Sequence, residues 1–169
     1  MNLKRRIRDI PNFPKEGIMF KDINPLLRDP EAFQELVRII SDRYENRDVE
    51  LVAGIESRGF IIGGALANEL GVGFVPIRKK GKLPGETFEE SYEKEYGSDS
   101  LEIQMGSIKE GQKVLVVDDL LATGGTAAAS AKLVEKLGGK PLFCFVIELY
   151  TLHGIEKLRG YDVFSLLRY

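Results

Sequence analysis

The chain predicts an α/β fold: an open, mostly parallel twisted sheet flanked by helices. Three observations lead there. LVAGI at 51–55, GFVPI at 73–77, VLVV at 114–117 and FCFVIEL at 143–149 are almost wholly apolar rather than alternating, as strands covered on both faces are. Segments with helical spacing stand between these runs. The run VLVV leads through two aspartates into a TGGT turn, where a strand gives way to a helix.

Taken in order, the first thirty residues hold Pro11, Pro14, Gly17, Pro25 and Pro30, which break any long element and predict an extended flap. From 31 to 44, Phe33, Leu36, Val37, Ile40 and Tyr44 recur at helical spacing. The strand at 51–55 is followed by a small-residue helix over 60–70, and the strand at 73–77 by a long charged segment. A strand expected to end at Val117 precedes a helix over 126–137, and a short last strand falls at 163–167. Residues 78–112 break the rhythm with charges and glycines among Tyr92, Tyr96, Leu101 and Ile103. They predict a long loop or flexible hairpin, either a functional lid or a solvated excursion. No internal repeat is present, and 169 residues suit one domain with a full core, 1–169.

Composition excludes several functions. A net charge of −2 argues against a general nucleic-acid binder, which is usually basic. Cys144 is the only cysteine, so neither an intrachain disulfide nor a multi-cysteine zinc site can form. His153 is the only histidine and lies in a segment without a nucleophile elbow. Both are expected to be structural. MNLKRRIRDIPNFP lacks the apolar core of a signal peptide, and GFIIGGALAN is too short and too glycine-rich to span a membrane. A soluble cytoplasmic protein with no membrane partner is the expectation.

The chemistry concentrates in VVDDLLATGGT. In open α/β sheets ligands sit at the carboxyl ends of strands, which is where Asp118 and Asp119 fall. Thr123, Gly124, Gly125 and Thr126 then open a helix, so several backbone N–H groups and the helix dipole point at one anion. Neither GxxxxGK[ST] nor a complete GxGxxG occurs in the chain. A phosphate on TGGT with two carboxylates upstream suits a sugar phosphate, whose vicinal hydroxyls donate to the acids. Hydrated magnesium is the alternative partner for them.

VLVVDDLLATGGT resembles, along its full length, the phosphoribosyl-pyrophosphate motif of the type I phosphoribosyltransferases. FPKEGIMFKDINPLLRDP (13–30), GIESRGFIIGGALA (54–67), IRKKGKLPG (77–85) and SYEKEYG (91–97) resemble the adenine branch of that family, in the same order. The long motif is specific for the superfamily, and the other four together point to the base. The resemblance implies the type I phosphoribosyltransferase fold, with 1–30 as a base-binding flap, 31–169 as the core and 78–112 as the lid. The reaction implied is adenine plus 5-phospho-α-D-ribose 1-diphosphate giving AMP and pyrophosphate, with magnesium carried by the donor and water rather than by direct protein ligands.

The same resemblance assigns roles. Asp118 and Asp119 would hold the ribose hydroxyls, and Ala122, Thr123, Gly124, Gly125, Thr126 and Ala127 the 5′-phosphate. Glu56, Ser57, Arg58, Arg78, Lys79 and Lys82 would form the pyrophosphate subsite, with a non-proline cis peptide near Glu56–Ser57. Arginine can fork onto phosphate, which suits Arg58 to that place. Glu95 would exchange a proton with the adenine imidazole, and Tyr96 would close over the reacting centre. Glu95 needs its pKa raised from about 4.3 by burial to act as a base. Met19, Phe20 and Lys21 would hold adenine largely through main-chain groups. Relatives commonly carry arginine where this chain has Lys21. Leu149 and Leu152 read as core, with a place lining the base site as the alternative. Part of the basic cluster reaches the partner's site in related enzymes, which implies a homodimer. The rivals are a transferase for an oxo-purine, which tends to use acidic or lysine side chains on the base, and a nucleotide-sensing regulator that binds RNA or DNA. A regulator would need a basic face or a further domain.

Overall fold

The computed structural model describes residues 1–94 and 96–169. These fall into two compact units, Met1–Arg43 and Tyr44–Tyr169.

In the first unit, β1 (Arg8–Pro11) pairs antiparallel with β2 (Met19–Asp22), with Arg8 opposite Asp22 and Pro11 opposite Met19. Arg8 donates two hydrogen bonds to the Asp22 carboxylate, at 2.6 and 3.1 Å, and locks that register. The prolines prevent long elements, as expected, and the segment is built on a short antiparallel hairpin. Phe13 stands edge-on to Phe20 at 5.1 Å, while Ile18 and Met19 are exposed. A short helix, α1 (Asn24–Leu27), leads to α2 (Pro30–Tyr44). Pro30 at its first position and Asp29, whose Oδ1 accepts the N–H groups of Glu31 and Ala32, start α2. Ala32, Leu36 and Ile40 form its buried stripe.

The second unit carries a seven-stranded sheet. Its strands are β3 (Leu51–Ile55), β4 (Gly73–Lys79), β5 (Thr87–Glu93), β6 (Ser98–Gln104), β7 (Lys113–Leu121), β8 (Lys140–Glu148) and β9 (Val163–Arg168). The order is β5-β6-β4-β3-β7-β8-β9, parallel from β4 to β9 and antiparallel at β5 and β6. Two helices, α3 (Arg58–Leu70) and α4 (Gly125–Lys136), cover opposite faces. Strand alternation explains why. Leu51, Ala53, Ile55, Val114 and Val116 join the core that includes Ala127, Ala131 and Val134 of α4. Val52 and Gly54 point the other way, onto Gly63 of α3.

One expectation is narrowed and one corrected. Residues 78–112 take the hairpin form, not the long loop: β5 and β6 extend the sheet, with Leu101 and Ile103 fully buried. Charge density hid these strands, because their acids are used across elements, Glu89 with Lys80 and Glu90 with Lys132 and Lys136. Nor does β7 stop at Val117. Its ladder with β3 ends there, but pairing with β8 continues to Leu121 opposite Glu148. Asp118 and Asp119 therefore lie on a strand paired along one edge only.

Smaller expectations divide. Cys144 is buried in β8 and burial pushes its thiol up, as befits a structural residue. Leu152 is not core: it sits in a 3-10 turn, Tyr150–Leu152, and is 48% exposed. No helix among the described residues is long and apolar enough to cross a membrane.

Candidate active site

At the carboxyl ends of β3 and β7 the second unit opens into a cleft of about 620 Å³. It is lined by Glu56, Ser57, Arg58, Lys79, Lys82, Asp118, Asp119 and the whole run Ala122–Ala127. These residues come from three separate sequence stretches, one singled out by strand-end chemistry and the others by the resemblance.

The floor is the acid pair. Asp118 is 9% exposed and Asp119 6%. Asp118 Oδ1 accepts the N–H of Asp119 at 2.8 Å, and Asp119 pairs with the Arg58 guanidinium. Burial, and next the neighbouring Asp119 charge, hold the Asp118 carboxyl well above the usual carboxylate range, and Arg58 offsets only part of this. Gly59 allows the arrangement: a Cβ there would lie 2.7 Å from the Val117 carbonyl and 3.2 Å from Asp118 Oδ1. The first turn of α3 can thus press against β7 and deliver Arg58 to Asp119.

The phosphate loop follows β7. Gly124 caps α4 with φ +81°, a left-handed conformation that favours glycine. The first intrahelical bond of α4 runs from the Ala128 N–H to the Gly124 carbonyl at 2.9 Å. The N–H groups at the preceding helix start are those that an α-helix leaves without intrahelical acceptors. Behind this loop lies Gly154, which no motif indicated. A Cβ on Gly154 would sit 2.1 Å from the Ala122 carbonyl oxygen, and one on Gly124 would sit 2.4 Å from the Gly154 carbonyl oxygen.

The cations of the site are held by carboxylates. Glu56, joined to Ser57 by a cis peptide, accepts the Lys79 N–H and binds Lys82 Nζ at 2.8 Å. Burial alone would raise the Glu56 pKa. The hydrogen bonds from Lys82 and Lys79 and the charges of Lys82 and Arg78 outweigh it and hold the group below its ordinary value. Lys79 Nζ lies 3.2 Å from Asp99. Arg78 does not line the cleft; its guanidinium lies over the Phe60 ring at 5.6 Å, with Nε 3.5 Å from Glu56. Lys80 is bound to Glu89 and is also outside the cleft.

The cleft has further walls that sequence reasoning missed: Tyr92, Glu93, Lys94, Leu120, Leu121 and Phe145. Tyr92 packs on the start of α4, its ring 3.3 Å from where a Gly125 Cβ would be. Lys94 stands next to the Glu95-Tyr96 pair, and that adjacency was the available signal. Tyr96 is 81% exposed and is not among the lining residues, and Glu95 lies outside the described residues. Met19, Phe20 and Lys21 occupy β2 of the first unit, with Lys21 Nζ 2.7 Å from Asp9.

Among the described residues no group of three or more His, Cys, Asp or Glu side chains could form a metal cage. Magnesium brought on a ligand's phosphates asks less, one or two carboxylates reached directly or through water, and Asp118 and Asp119 offer that in the cleft.

A family model described as the phosphoribosyl transferase domain matches residues 22–165. An adenine phosphoribosyltransferase of Alkaliphilus metalliredigens is 55% identical over 170 residues, covering 100% of both chains. The crystal structure of adenine phosphoribosyltransferase from Thermoanaerobacter pseudethanolicus superposes with a TM-score of 0.96 at 54% identity, covering 99% of this chain and 98% of that one. The enzyme from Saccharomyces cerevisiae, solved with an imino-altritol bisphosphate and adenine, gives 0.93 at 49% identity, covering 98% and 96%. With its length matched end to end and its sheet, helices and glycine loop reproduced, the chain belongs to the adenine phosphoribosyltransferases of the type I phosphoribosyltransferase fold.

Proposed function

We propose that the chain salvages adenine by transferring to it the phosphoribosyl group of 5-phospho-α-D-ribose 1-diphosphate, releasing pyrophosphate and forming AMP. One observation carries the reading: two buried carboxylates, a glycine-opened helix start and four cations, Arg58, Lys79, Lys82 and Lys94, line a single cleft. Each matches one part of the donor. The hydroxyls of the ribose donate to Asp118 and Asp119, and the 5′-phosphate takes the N–H groups of Ala122–Ala127. The pyrophosphate lies among Ser57, Arg58, Lys79 and Lys82, with Glu56 holding the lysines in place and Arg78 at its border.

In the transfer, the adenine N9–C1′ bond forms as the bond from C1′ to the pyrophosphate oxygen breaks. The sugar passes through an oxocarbenium-like state, so water must be kept out. Arg58, Lys79 and Lys82 stabilise the charge that gathers on the leaving oxygen. Glu95 takes the imidazole proton, and Tyr96 closes over the centre from the hairpin. Met19, Phe20 and Lys21 hold the base by main-chain groups and by stacking. Magnesium arriving with the donor would supply neutralising charge for the pyrophosphate, with Asp118 and Asp119 the carboxylates in reach of it. We extend the reading to a cytoplasmic homodimer, with no nucleic-acid partner; the exposed Ile61 of α3 and Phe74 of β4 suit a subunit contact.

A base panel tests the activity. Purified protein with magnesium and donor is expected to convert adenine at least about a hundredfold more efficiently than hypoxanthine, guanine or xanthine, as a site built to read exocyclic polar groups does. An oxo-purine preference in that panel would refute the adenine assignment. Glu95→Gln is expected to lower kcat by about a hundredfold, the usual worth of a positioned acid or base, with donor KM nearly unchanged. An unaltered kcat would return Glu95 to a surface charge.

A further inference from the structure

The cation inventory of the cleft contains one member to which the resemblance assigns no role, although it falls within SYEKEYG. Lys94, in the turn after β5, lines the cleft with Lys79 and Lys82. Its Nζ lies 3.0 Å from Asp99 Oδ2, and Lys79 Nζ lies 3.2 Å from the same oxygen. The other Asp99 oxygen accepts the Ser100 N–H at 2.9 Å. Two ammonium groups, one from the end of β4 and one from the turn after β5, thus meet on one carboxylate oxygen, leaving a surplus positive charge toward the cleft. Asp99 itself is not a lining residue.

We propose that Lys94 is a pyrophosphate-binding residue, which with Lys79 clamps the leaving group, and that Asp99 is the anion holding the two ammonium groups while pyrophosphate is absent. The proposal rests on the phosphoribosyl-transfer reading of the cleft. Three features support it. Two like charges this close require an anion between them, and a multiply charged pyrophosphate satisfies both better than one carboxylate oxygen does. The hydrogen bond from Lys94, next the Ser100 N–H and then Lys79 draw the Asp99 pKa down to about 2, so the placeholder is an anion throughout the neutral range. Finally, β5 is fastened to α4 through Glu90, which meets Lys136 at 2.7 Å and Lys132 at 3.4 Å. That fastening carries the turn, and Lys94 with it, to the cleft. Lys80 lacks this geometry, since it is engaged by Glu89 and does not line the cleft.

Calorimetric titration of the full chain with magnesium pyrophosphate tests the assignment. Lys94→Leu is expected to weaken binding by about tenfold or more, the worth of one charge-assisted hydrogen bond, while Lys94→Arg stays within about threefold. Donor KM should rise in parallel with adenine KM unchanged. Asp99→Asn should tighten pyrophosphate, because it removes the competitor. Lys80→Ala removes a nearby charge outside the cleft and should change affinity by less than about twofold, as surface charges do. The assignment is overturned if Lys94→Leu binds like the parent, if Lys80→Ala weakens binding equally, or if Asp99→Asn weakens it. A parent chain that bound no pyrophosphate would instead bring down the phosphoribosyl-transfer reading, and this inference with it.

Discussion

Replacing Asp118 with Asn is expected to stabilise the unliganded protein while crippling donor binding. The side chain is buried beside a second carboxylate, and its proton affinity is raised by that burial first and by Asp119 second. Asparagine keeps the shape and can still accept the Asp119 N–H, which Asp118 Oδ1 does at 2.8 Å. It removes a charge that the fold disfavours, so the melting temperature should rise, by about 2–4 °C for each kcal/mol gained in a chain of this size. The sign with pH follows from linkage. A carboxyl raised in the folded state binds a proton there that the unfolded chain has released. Stability of the parent therefore falls as pH rises from the ordinary carboxylate range, about 4, to the raised folded value, and is level above it. Asp118→Asn lacks that slope, so its advantage should widen across that window. Donor affinity moves the opposite way. A hydrogen bond to a charged acceptor is worth about 1.5–3 kcal/mol, so the loss should be tenfold or more. Asp118→Asn combined with Asp119→Asn should lose about a hundredfold or more by the same measure. Melting curves across pH with donor titrations check both halves. Donor affinity unchanged in the double variant would remove the ribose role from the pair.

Gly154→Ala should damage the 5′-phosphate loop from behind. Gly154 is not among the positive-φ glycines, so backbone conformation does not demand glycine there. Space does. The new Cβ would lie 2.1 Å from the Ala122 carbonyl oxygen and 2.9 Å from the Gly124 nitrogen, both backbone atoms that cannot rotate aside. The 3-10 turn Gly154–Leu158 is anchored by Leu158, 1% exposed, so the phosphate loop must shift instead. Overpacking of this kind costs about 1–3 kcal/mol, and the melting temperature should fall accordingly. Donor KM should rise at least about tenfold, since displaced N–H groups lose the charge-assisted bonds they make to phosphate. Adenine KM should hold. Gly64→Ala is the contrast: nothing lies within 4 Å of its Cβ on the exposed side of α3, and it should be neutral or stabilising by up to about 1 kcal/mol. Equal donor affinity in Gly154→Ala and the parent would dissociate this turn from the loop.

Gly154 also shows where sequence reasoning stops. Nothing local marks it: the turn forms whatever the residue, and the requirement arises only because Ala122, thirty-two positions upstream, comes to lie against it. Tyr92, read as part of the charged segment 78–112, and Phe145, read as a buried strand residue, escaped notice for the same reason until β5 and β8 bring them to the cleft. The hairpin of β5 and β6 was hidden differently. Its glutamates look solvated in one dimension, and only the packing of α4 and β4 supplies the lysines that make them strand residues.

By itself the sequence determined the alternation of buried strands and helices, the glycine-opened phosphate loop, the acid pair and the family that joins them. These are short-range properties, since periodicity, turn chemistry and motif spacing act within about one element and its neighbour. Tertiary structure decided that β7 runs on through Asp118 and Asp119, because an edge freed of β3 still pairs with β8. It also decided which cations reach the cleft. Arg78 was drawn onto Phe60 and Lys80 onto Glu89, whereas Lys94 was brought in by the hairpin. Charge can be counted in a sequence, but where it points depends on partners that only the folded chain brings within range.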